Sequence, residues 1–250
     1  MSLASSAYAP LMPPLLQVAL NGSRTAAEHP AIPRTPEELA LESRAAVDAG
    51  ARVLHLHAYH TGVETLAAEP CAAALRAVRA SCPGVDVSLT TSAEIEPDPR
   101  RRLELVAGWS ELPELVTANQ GEAGILELCE HLIGRGIGIE AGLLSTADAE
   151  AFVRKGLAER CVRVLVEPLD DDPEEAVAHA AAMERVLARA GITLEQVHHG
   201  DGLSSWSVSA RAWARGHGIR TGLEDTTVLP DGRRAPDNAA LVRAAAAMML

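Results

Sequence analysis

Short apolar runs alternate with longer amphipathic stretches along most of the chain. The apolar runs have the length of buried β-strands, and the longer stretches carry the residues that begin and end helices. One stretch shows this clearly, since Thr35 suits an N-cap, Pro36 suits the first helical position, Glu38 completes a capping box and Gly50 ends the helix. The predicted strands are 15–20, 53–57, 85–90, 115–119, 136–141, 162–166, 196–199 and 219–223; the predicted helices are 36–50, 69–81, 98–108, 121–133, 145–155, 172–190, 203–215 and a last one that begins at 237.

This alternation of eight strands with eight helices predicts an α/β fold with a parallel sheet, and eight such units are typical of a (β/α)8 TIM barrel. The alternative is an open doubly wound sheet. That fold is disfavoured because the first strand is not followed by the Gly-x-Gly-x-x-Gly turn of dinucleotide-binding domains. We therefore expect residues 15–250 to form one barrel domain and residues 1–14 to be a loosely ordered N-terminal segment.

Composition narrows the class of protein. Of the 250 residues, 48% are hydrophobic but only 2% are aromatic, so the core must be built from Ala, Leu and Val. The net charge of −12 argues against nucleic acid or an anionic membrane as a partner. No stretch predicts a membrane span or a signal peptide, and the four scattered cysteines favour free thiols in a reducing cytoplasm. These features favour a cytoplasmic protein that acts on small molecules.

The strand at 53–57 contains the clearest candidate site. Side chains alternate along a strand, so His55 and His57 point to the same face, with Cα atoms about 7 Å apart. Both imidazoles could then reach one metal ion, and a carboxylate from elsewhere in the chain would complete the three-ligand arrangement of catalytic zinc. The other interpretation is that the two histidines are hydrogen-bonded inside a polar barrel. Other divalent metals, such as manganese or nickel, also fit this ligand set.

Active sites of such barrels form at the carboxyl ends of the strands, so polar residues there are candidates. The segment 220–225 ends the last strand and brings an arginine and two neighbouring acids to that end. Glu224 and Asp225 should leave the barrel wall in different directions, so that one can bind metal while the other stays free. Gly222 permits a close approach of the backbone to a ligand or to the shell of a metal. The other candidates at strand ends are Asn21, Arg24, Thr90, Thr91, Asn119, Glu140, Glu167 and His199, of which Glu140 and Glu167 are expected to fill the barrel or support the site.

Three motifs together resemble the β-keto acid cleavage enzyme family: His55-Leu56-His57, the helix start at 33–38, and Arg220-Thr221-Gly222-Leu223-Glu224-Asp225. The resemblance covers roughly residues 15–241. It implies a zinc-bearing TIM barrel that forms a homo-oligomer, either a dimer or a tetramer. It also implies condensation of a β-keto acid with acetyl-CoA, followed by carbon–carbon cleavage to acetoacetate and a new acyl-CoA.

The resemblance assigns roles to individual residues. His55, His57 and Glu224 would be the zinc ligands, and Asp225 would be the general base, paired with Arg220. Two further residues would contact substrate in the catalytic centre: Thr90, which lies where the family has a Ser-Thr-Gly-Gly turn, and Asn119, at the end of the fourth strand.

The sequence also departs from the family pattern. Arg24 stands where many members have a glutamate after the first strand, which predicts a substrate without a cationic amine and with an extra anionic group. His199, at the end of the seventh strand, is a second candidate for substrate binding, whereas His198 should point away from it. The turn at 90–93 has fewer glycines than the family motif, which leaves less room for backbone to approach a ligand.

Two other functions remain open on the sequence alone. One is a metal-dependent aldolase or hydrolase that uses the same ligands without CoA. The other is a barrel that binds a metabolite and performs no chemistry. The pairing of Arg220 with Asp225 favours an enzyme, since a binding protein does not need a positioned base.

Overall fold

The computed structural model describes residues 14–250, so the predicted loosely ordered segment lies, apart from Pro14, outside the described residues. Within this range, eight parallel strands close into a barrel and eight α-helices surround it. The strands are β1 (Leu16–Ala19), β2 (Val53–Leu56), β3 (Tyr59–His60), β4 (Val63–Glu64), β5 (Asp86–Thr90), β6 (Leu115–Asn119), β7 (Gly138–Leu143), β8 (Arg163–Val166), β9 (Glu195–His198) and β10 (Gly218–Thr221), of which β3 and β4 form a separate hairpin. The helices are α1 (Pro36–Asp48), α2 (Ala68–Ser81), α3 (Pro99–Ala107), α4 (Ile125–Gly134), α5 (Thr146–Lys155), α6 (Pro173–Arg189), α7 (Ser205–Ala214) and α8 (Asn238–Met248).

The barrel closes where the first strand meets the last. β1 pairs with β10 on one side, with Leu16 opposite Ile219, and with β2 on the other, with Ala19 opposite His55. The predicted (β/α)8 TIM barrel is therefore confirmed. This closure places the carboxyl end of β1 between the histidine strand and the strand that carries Arg220.

Two separate apolar clusters reflect the alternation of side chains along the strands. Leu54 and Leu56 belong to the large cluster between the barrel and its helices. Val53 belongs instead to a small cluster with four other buried side chains, which alternation places inside the barrel. His55 and His57 follow Val53 on this inner face, so the same period of two that packs the barrel also directs both histidines inward. The other members of the small cluster are Leu15, Leu115, Leu165 and Val197.

A polar layer lies on the same inner face of neighbouring strands. Glu140 is fully buried and forms an ion pair of 3.0 Å with Arg163. It also accepts hydrogen bonds from Gln17 (3.2 Å) and Ser88 (2.5 Å). The expectation that Glu140 fills the barrel or supports the site thus agrees with the contacts it makes.

The sequence prediction is wrong at some boundaries and does not include the β3–β4 hairpin. Helix α4 begins at Ile125 instead of residue 121, because a turn intervenes and Gly124 at the N-cap adopts a left-handed conformation with φ of 70°. The β3–β4 hairpin was not predicted, since its strands have only two residues each.

The four cysteines are buried and free. Among the described residues, no helix combines the length and the apolar character that crossing a membrane requires.

Candidate active site

His55, His57 and Glu224 meet at the carboxyl end of the barrel. The Nε2 atom of His55 lies 3.7 Å from Oε1 of Glu224, and Nε2 of His57 lies 3.6 Å from Oε2. One ligand atom from each residue lies within 4.8 Å of the other two. Ligands about 2.1 Å from a tetrahedral ion are separated by about 3.4 Å, so this spacing is close to that of a metal site.

Two glycines allow Glu224 to reach the histidines. A Cβ atom on Gly222 would lie 1.9 Å from the carbonyl oxygen of Ala19, and one on Gly22 would lie 2.4 Å from Cγ of Glu224. The backbone N–H of Glu224 donates to the same Ala19 carbonyl at 3.3 Å. The turn after β10 is thus held against the end of β1, so the close approach at Gly222 is to the backbone of Ala19.

Hydrogen bonds on the far side of each imidazole orient the ring. Nδ1 of His57 lies 2.5 Å from Oε1 of Glu64, and Nδ1 of His55 lies 3.3 Å from the hydroxyls of both Ser88 and Thr117. In each ring this leaves Nε2 directed at Glu224. Oε2 of Glu224 is buried and has no hydrogen-bond partner. Two imidazole nitrogens and a carboxylate oxygen form a ligand set that fits zinc, and the unpartnered oxygen supports that fit.

Arg220 and Asp225 form a buried pair beside these residues. Nη2 of Arg220 donates to Oδ1 of Asp225 at 2.6 Å and to Oε1 of Glu224 at 3.1 Å. His199 lies between two acids: its Nδ1 is 3.4 Å from Oδ1 of Asp225, and its Nε2 is 3.4 Å from Oε2 of Glu167. One guanidinium and one imidazole therefore connect three carboxylates.

Burial and charge act in opposite directions on these groups. Burial raises the pKa of Asp225, but Arg220 and His199 outweigh it, and the net pKa is lowered. Burial is also the largest influence on Glu167, and its pKa stays raised. Burial lowers the pKa of His55 well below its usual value, and Arg220 adds to this effect. Around His57, burial lowers the pKa, but the carboxylates of Glu224 and Glu64 raise it above the usual value. His55 is thus held neutral, as a metal ligand must be.

A cavity of about 510 Å³ opens above the three candidate ligands. Thr90 and Asn119 line it, as expected for residues that touch a substrate. Asp225 and His199 are absent from its wall, whereas Glu167 is part of it. Arg220 is the one Arg or Lys in the described lining, against six acids: Glu64, Glu94, Glu122, Glu167, Asp201 and Glu224.

A model of one protein family, described as beta-keto acid cleavage enzyme, matches residues 13–160 and 149–250, which together are nearly the whole chain. The chain belongs to the beta-keto acid cleavage enzyme family. Two relatives named 3-keto-5-aminohexanoate cleavage enzyme are similar to it. The one from Fusobacterium nucleatum is 28% identical over 91% of this chain and 88% of its own length. The one from Acetoanaerobium sticklandii is 24% identical over the same shares of the two chains.

Solved structures share the fold of this family member. The ternary complex of ObcA with C4-CoA adduct and oxalate superimposes with a TM-score of 0.68 at 19% identity, covering 86% of this chain. This chain spans only 62% of the length of that structure. The 3-dehydroquinate dehydratase from Aquifex aeolicus VF5 has a TM-score of 0.57 at 14% identity, covering 94% of this chain and 96% of its own. These likenesses support the barrel and nothing finer.

Arg24, which departs from the family pattern, does not line the main cavity. Its Nε donates to the backbone carbonyl of Glu224 at 2.9 Å, and its Nη2 contacts Oδ1 of Asp201 at 2.8 Å. It faces a smaller neighbouring cavity of about 260 Å³. The expectation that Arg24 binds an anionic group of the substrate stays a prediction, and in this structure its guanidinium contacts the turn that carries Glu224.

Several residues that shape the site were missed in the sequence. Ser88 and Thr117 contact His55 and could have been found, since each lies two residues before a predicted site residue on the same strand face. Glu122 accepts hydrogen bonds from Asn119 Nδ2 (3.1 Å) and from the backbone of Ala93 (2.9 Å). The position of Glu122 just after β6 does not indicate a role in the site, because the sequence predicts a helix there and the structure has a turn.

Proposed function

We propose that this chain is a divalent-metal-dependent β-keto acid cleavage enzyme that uses acetyl-CoA. It would condense a β-keto acid with acetyl-CoA and release acetoacetate and a new acyl-CoA. The observation that carries the proposal is the meeting of His55, His57 and Glu224 at the carboxyl end of the barrel, beside Arg220 and Asp225. Family membership supplies the reaction class.

His55, His57 and Glu224 are the residues that would hold the ion, with zinc as the metal that best suits two imidazoles and one carboxylate. When bound, the metal supplies Lewis-acid polarisation of the ketone and carboxylate oxygens of the substrate. Three protein ligands also leave a coordination position for those oxygens.

In this proposal Asp225 removes the proton from the carbon between the ketone and the carboxylate. The electron pair left on that carbon forms the new bond to the acetyl carbonyl of acetyl-CoA. The C–S bond of acetyl-CoA breaks, and the released CoA thiolate adds to the original ketone carbon. The bond between that carbon and the deprotonated carbon then breaks, which gives the acyl-CoA and the carbanion of acetoacetate, and this carbanion takes back the proton from Asp225. No oxidant or reductant is needed. Arg220 supports the role of Asp225, because a guanidinium at 2.6 Å keeps the carboxylate ionised at neutral pH.

Glu167 is the competing candidate for this base. Glu167 lines the cavity, and burial raises its pKa, whereas Asp225 contacts Arg220 and His199 and is not part of the lining. Asp225→Asn and Glu167→Gln separate the two roles. If Asp225 is the base, its variant loses acetoacetate formation while Glu167→Gln keeps most of it; the opposite result transfers the role to Glu167.

Thr90 and Asn119 are proposed substrate contacts. Both line the cavity, and Asn119 is oriented by its hydrogen bond to Glu122. Acetyl-CoA would enter through the same opening. As the family resemblance implies, we also propose a homo-oligomer, a dimer or a tetramer, which light scattering of the purified protein would check. The four free cysteines support a cytoplasmic location.

The first test is elemental analysis of the wild type and of a His55→Ala/His57→Ala double variant, followed by product analysis with a panel of β-keto acids. Near-stoichiometric zinc in the wild type alone, with acetoacetate and acyl-CoA formed only when acetyl-CoA is present, supports the proposal. Cleavage without acetyl-CoA would indicate an aldolase or hydrolase instead. A folded wild type that binds no zinc after loading would leave a metabolite-binding barrel.

A further inference from the structure

The β3–β4 hairpin delivers a carboxylate to one of the candidate metal ligands. Oε1 of Glu64 lies 2.5 Å from Nδ1 of His57. The Glu64 side chain is 20% exposed and lines the cavity, and the His57 side chain is 11% exposed. Little water reaches this contact, so the hydrogen bond is stronger than one on an open surface.

The hairpin is fixed at its base and open at its tip. Tyr59 pairs with Glu64 across it, and the backbone N–H of Thr65 donates to the carbonyl of Ala58 at 2.9 Å. The hydroxyl of Tyr59 donates to the carbonyl of Gly22 at 2.5 Å. The tip residues 61–63 are exposed. Movement of this hairpin therefore moves Glu64 relative to His57.

A neutral imidazole carries one N–H, and the partner of that N–H decides which nitrogen keeps a free lone pair. When Nδ1 of His57 donates to Glu64, its Nε2 keeps the lone pair and faces Oε2 of Glu224 at 3.6 Å. His55 has no carboxylate in this position, since its Nδ1 meets the hydroxyls of Ser88 and Thr117 at 3.3 Å. The two ligands are thus oriented by different means.

We infer that Glu64 is a positioning residue that fixes the tautomer and ring orientation of His57 and so couples the β3–β4 hairpin to metal binding. This inference rests on the metal site of the proposed function. Coupling is reciprocal, so if an ordered hairpin strengthens metal binding, bound metal must also steady the hairpin.

The test measures zinc affinity by competition with a chromophoric chelator. Glu64→Ala is expected to bind zinc about 10–100-fold more weakly than the wild type, because that is the usual cost of losing a carboxylate that supports a metal-bound histidine. Glu64→Gln, which keeps an acceptor but loses the charge, should fall between them. Glu94→Gln is the matched control, since it removes the same charge from the same cavity wall and should leave the affinity unchanged.

Two readouts do not depend on catalysis. ¹⁵N-histidine NMR of the metal-free protein, recorded at a pH where His57 is neutral, should show His57 protonated at Nδ1 in the wild type and a mixture of tautomers in Glu64→Ala. Hydrogen exchange of the hairpin amides should slow when zinc is added to the wild type, and should not change in the Ala variant.

Wild-type zinc affinity in Glu64→Ala, with barrel amides equally protected in both proteins, would overturn the inference and leave the metal site intact. Glu64→Gln serves the same comparison if the Ala variant fails to fold. Failure of the proposed metal site would look different, because His57→Ala would then bind zinc no more weakly than the wild type.

Discussion

Nη2 of Arg220 donates to Oδ1 of Asp225 at 2.6 Å, and each side chain is only 2% exposed. Glu224 and Glu167 lie at 3.1 Å and 3.9 Å from the same nitrogen. A single guanidinium therefore neutralises much of a group of three carboxylates.

Removing the guanidinium of Arg220 should lower the stability of the protein more than removing the charge of Asp225. Arg220→Gln leaves the carboxylates without their cation, and we expect a loss of about 3–5 kcal/mol in the free energy of unfolding. Asp225→Asn should cost less, because Arg220 keeps Glu224 as a partner. Urea denaturation of both variants checks the order. Equal losses would show that the pair, and not the wider group, determines stability.

The approach of the last turn to β1 should not tolerate a methyl group. Gly222→Ala would place Cβ 1.9 Å from the carbonyl oxygen of Ala19, so the backbone must move. We expect a loss of at least about 3 kcal/mol in stability, together with weaker zinc binding as Glu224 is displaced. Gly134→Ala, at the end of α4, is the control. Nothing lies within 4 Å of a Cβ added there, so the variant should be more stable by about 0.5–1 kcal/mol.

The hairpin turn contains a residue in an unfavourable conformation. Thr61 has φ of 50° and Gly62 has φ of 81°, as in a two-residue turn with both central residues left-handed. Asn tolerates this region better than a β-branched residue, so Thr61→Asn should stabilise the protein by about 0.5–1 kcal/mol. Gly62→Ala should destabilise it by a similar amount. Thermal unfolding measures both, and two shifts of the same sign would contradict this explanation.

His198 should make the fold sensitive to mild acid. It points away from the site, its ring stacks on that of His217 with centroids 4.7 Å apart, and its Nε2 donates to Oε1 of Gln196 at 3.0 Å. Burial, with His217 and Arg211 adding to it and Glu184 opposing it, lowers the pKa of His198 to about 3. The unfolded chain binds a proton here below about pH 6.5 and the folded chain does not, so stability falls as the pH falls from about 6.5 towards 3.

His198→Phe keeps the packing and removes the titration. The variant should lose less stability than the wild type between pH 7 and pH 5, with a difference of up to about 1.4 kcal/mol per pH unit below 6.5. This window lies above the range in which Glu184 contributes, since that carboxyl has its pKa lowered to about 2. Urea unfolding at the two pH values is the measurement. Parallel losses in both proteins would assign the acid sensitivity to other groups.

The acidic cavity wall should select against substrates with a second carboxylate. Arg220 is buried and already paired, and Arg24 lines a smaller neighbouring cavity. A β-keto acid that ends in a carboxylate should therefore have a kcat/KM at least about 10-fold lower than a methyl-ended one of equal length. Glu94→Gln removes one negative charge from the cavity wall and should bring the two kcat/KM values closer together. A preference for the dicarboxylate would contradict this prediction and support the role in anion binding that the sequence predicts for Arg24.

The sequence was informative wherever a regular period placed the side chain. Alternation along β2 predicted that His55 and His57 share a face, and alternation along β5 and β6 could have added Ser88 and Thr117. It could not find Glu64, because two-residue strands carry no detectable period. The position of Arg24 after β1 located its backbone, but the direction of its guanidinium depends on Asp201 and the turn at Glu224, which are distant in the chain. Likewise, the absence of Asp225 from the cavity lining depends on the contacts that its carboxylate makes with His199 and Arg220 in the folded chain.

The proposed ligands lie on either side of the seam where the barrel closes. His55 lies in β2 and His57 follows it, Glu224 follows β10, and β1 runs between these two strands. A nascent chain that does not yet include β10 contains His55 and His57 but lacks Glu224, and the edge of β1 that pairs with β10 is still open. The complete ligand set is therefore present only once the last strand has been added. A bound ion would link the two sides of the barrel closure and would stabilise the complete barrel, but not the incomplete chains that precede it.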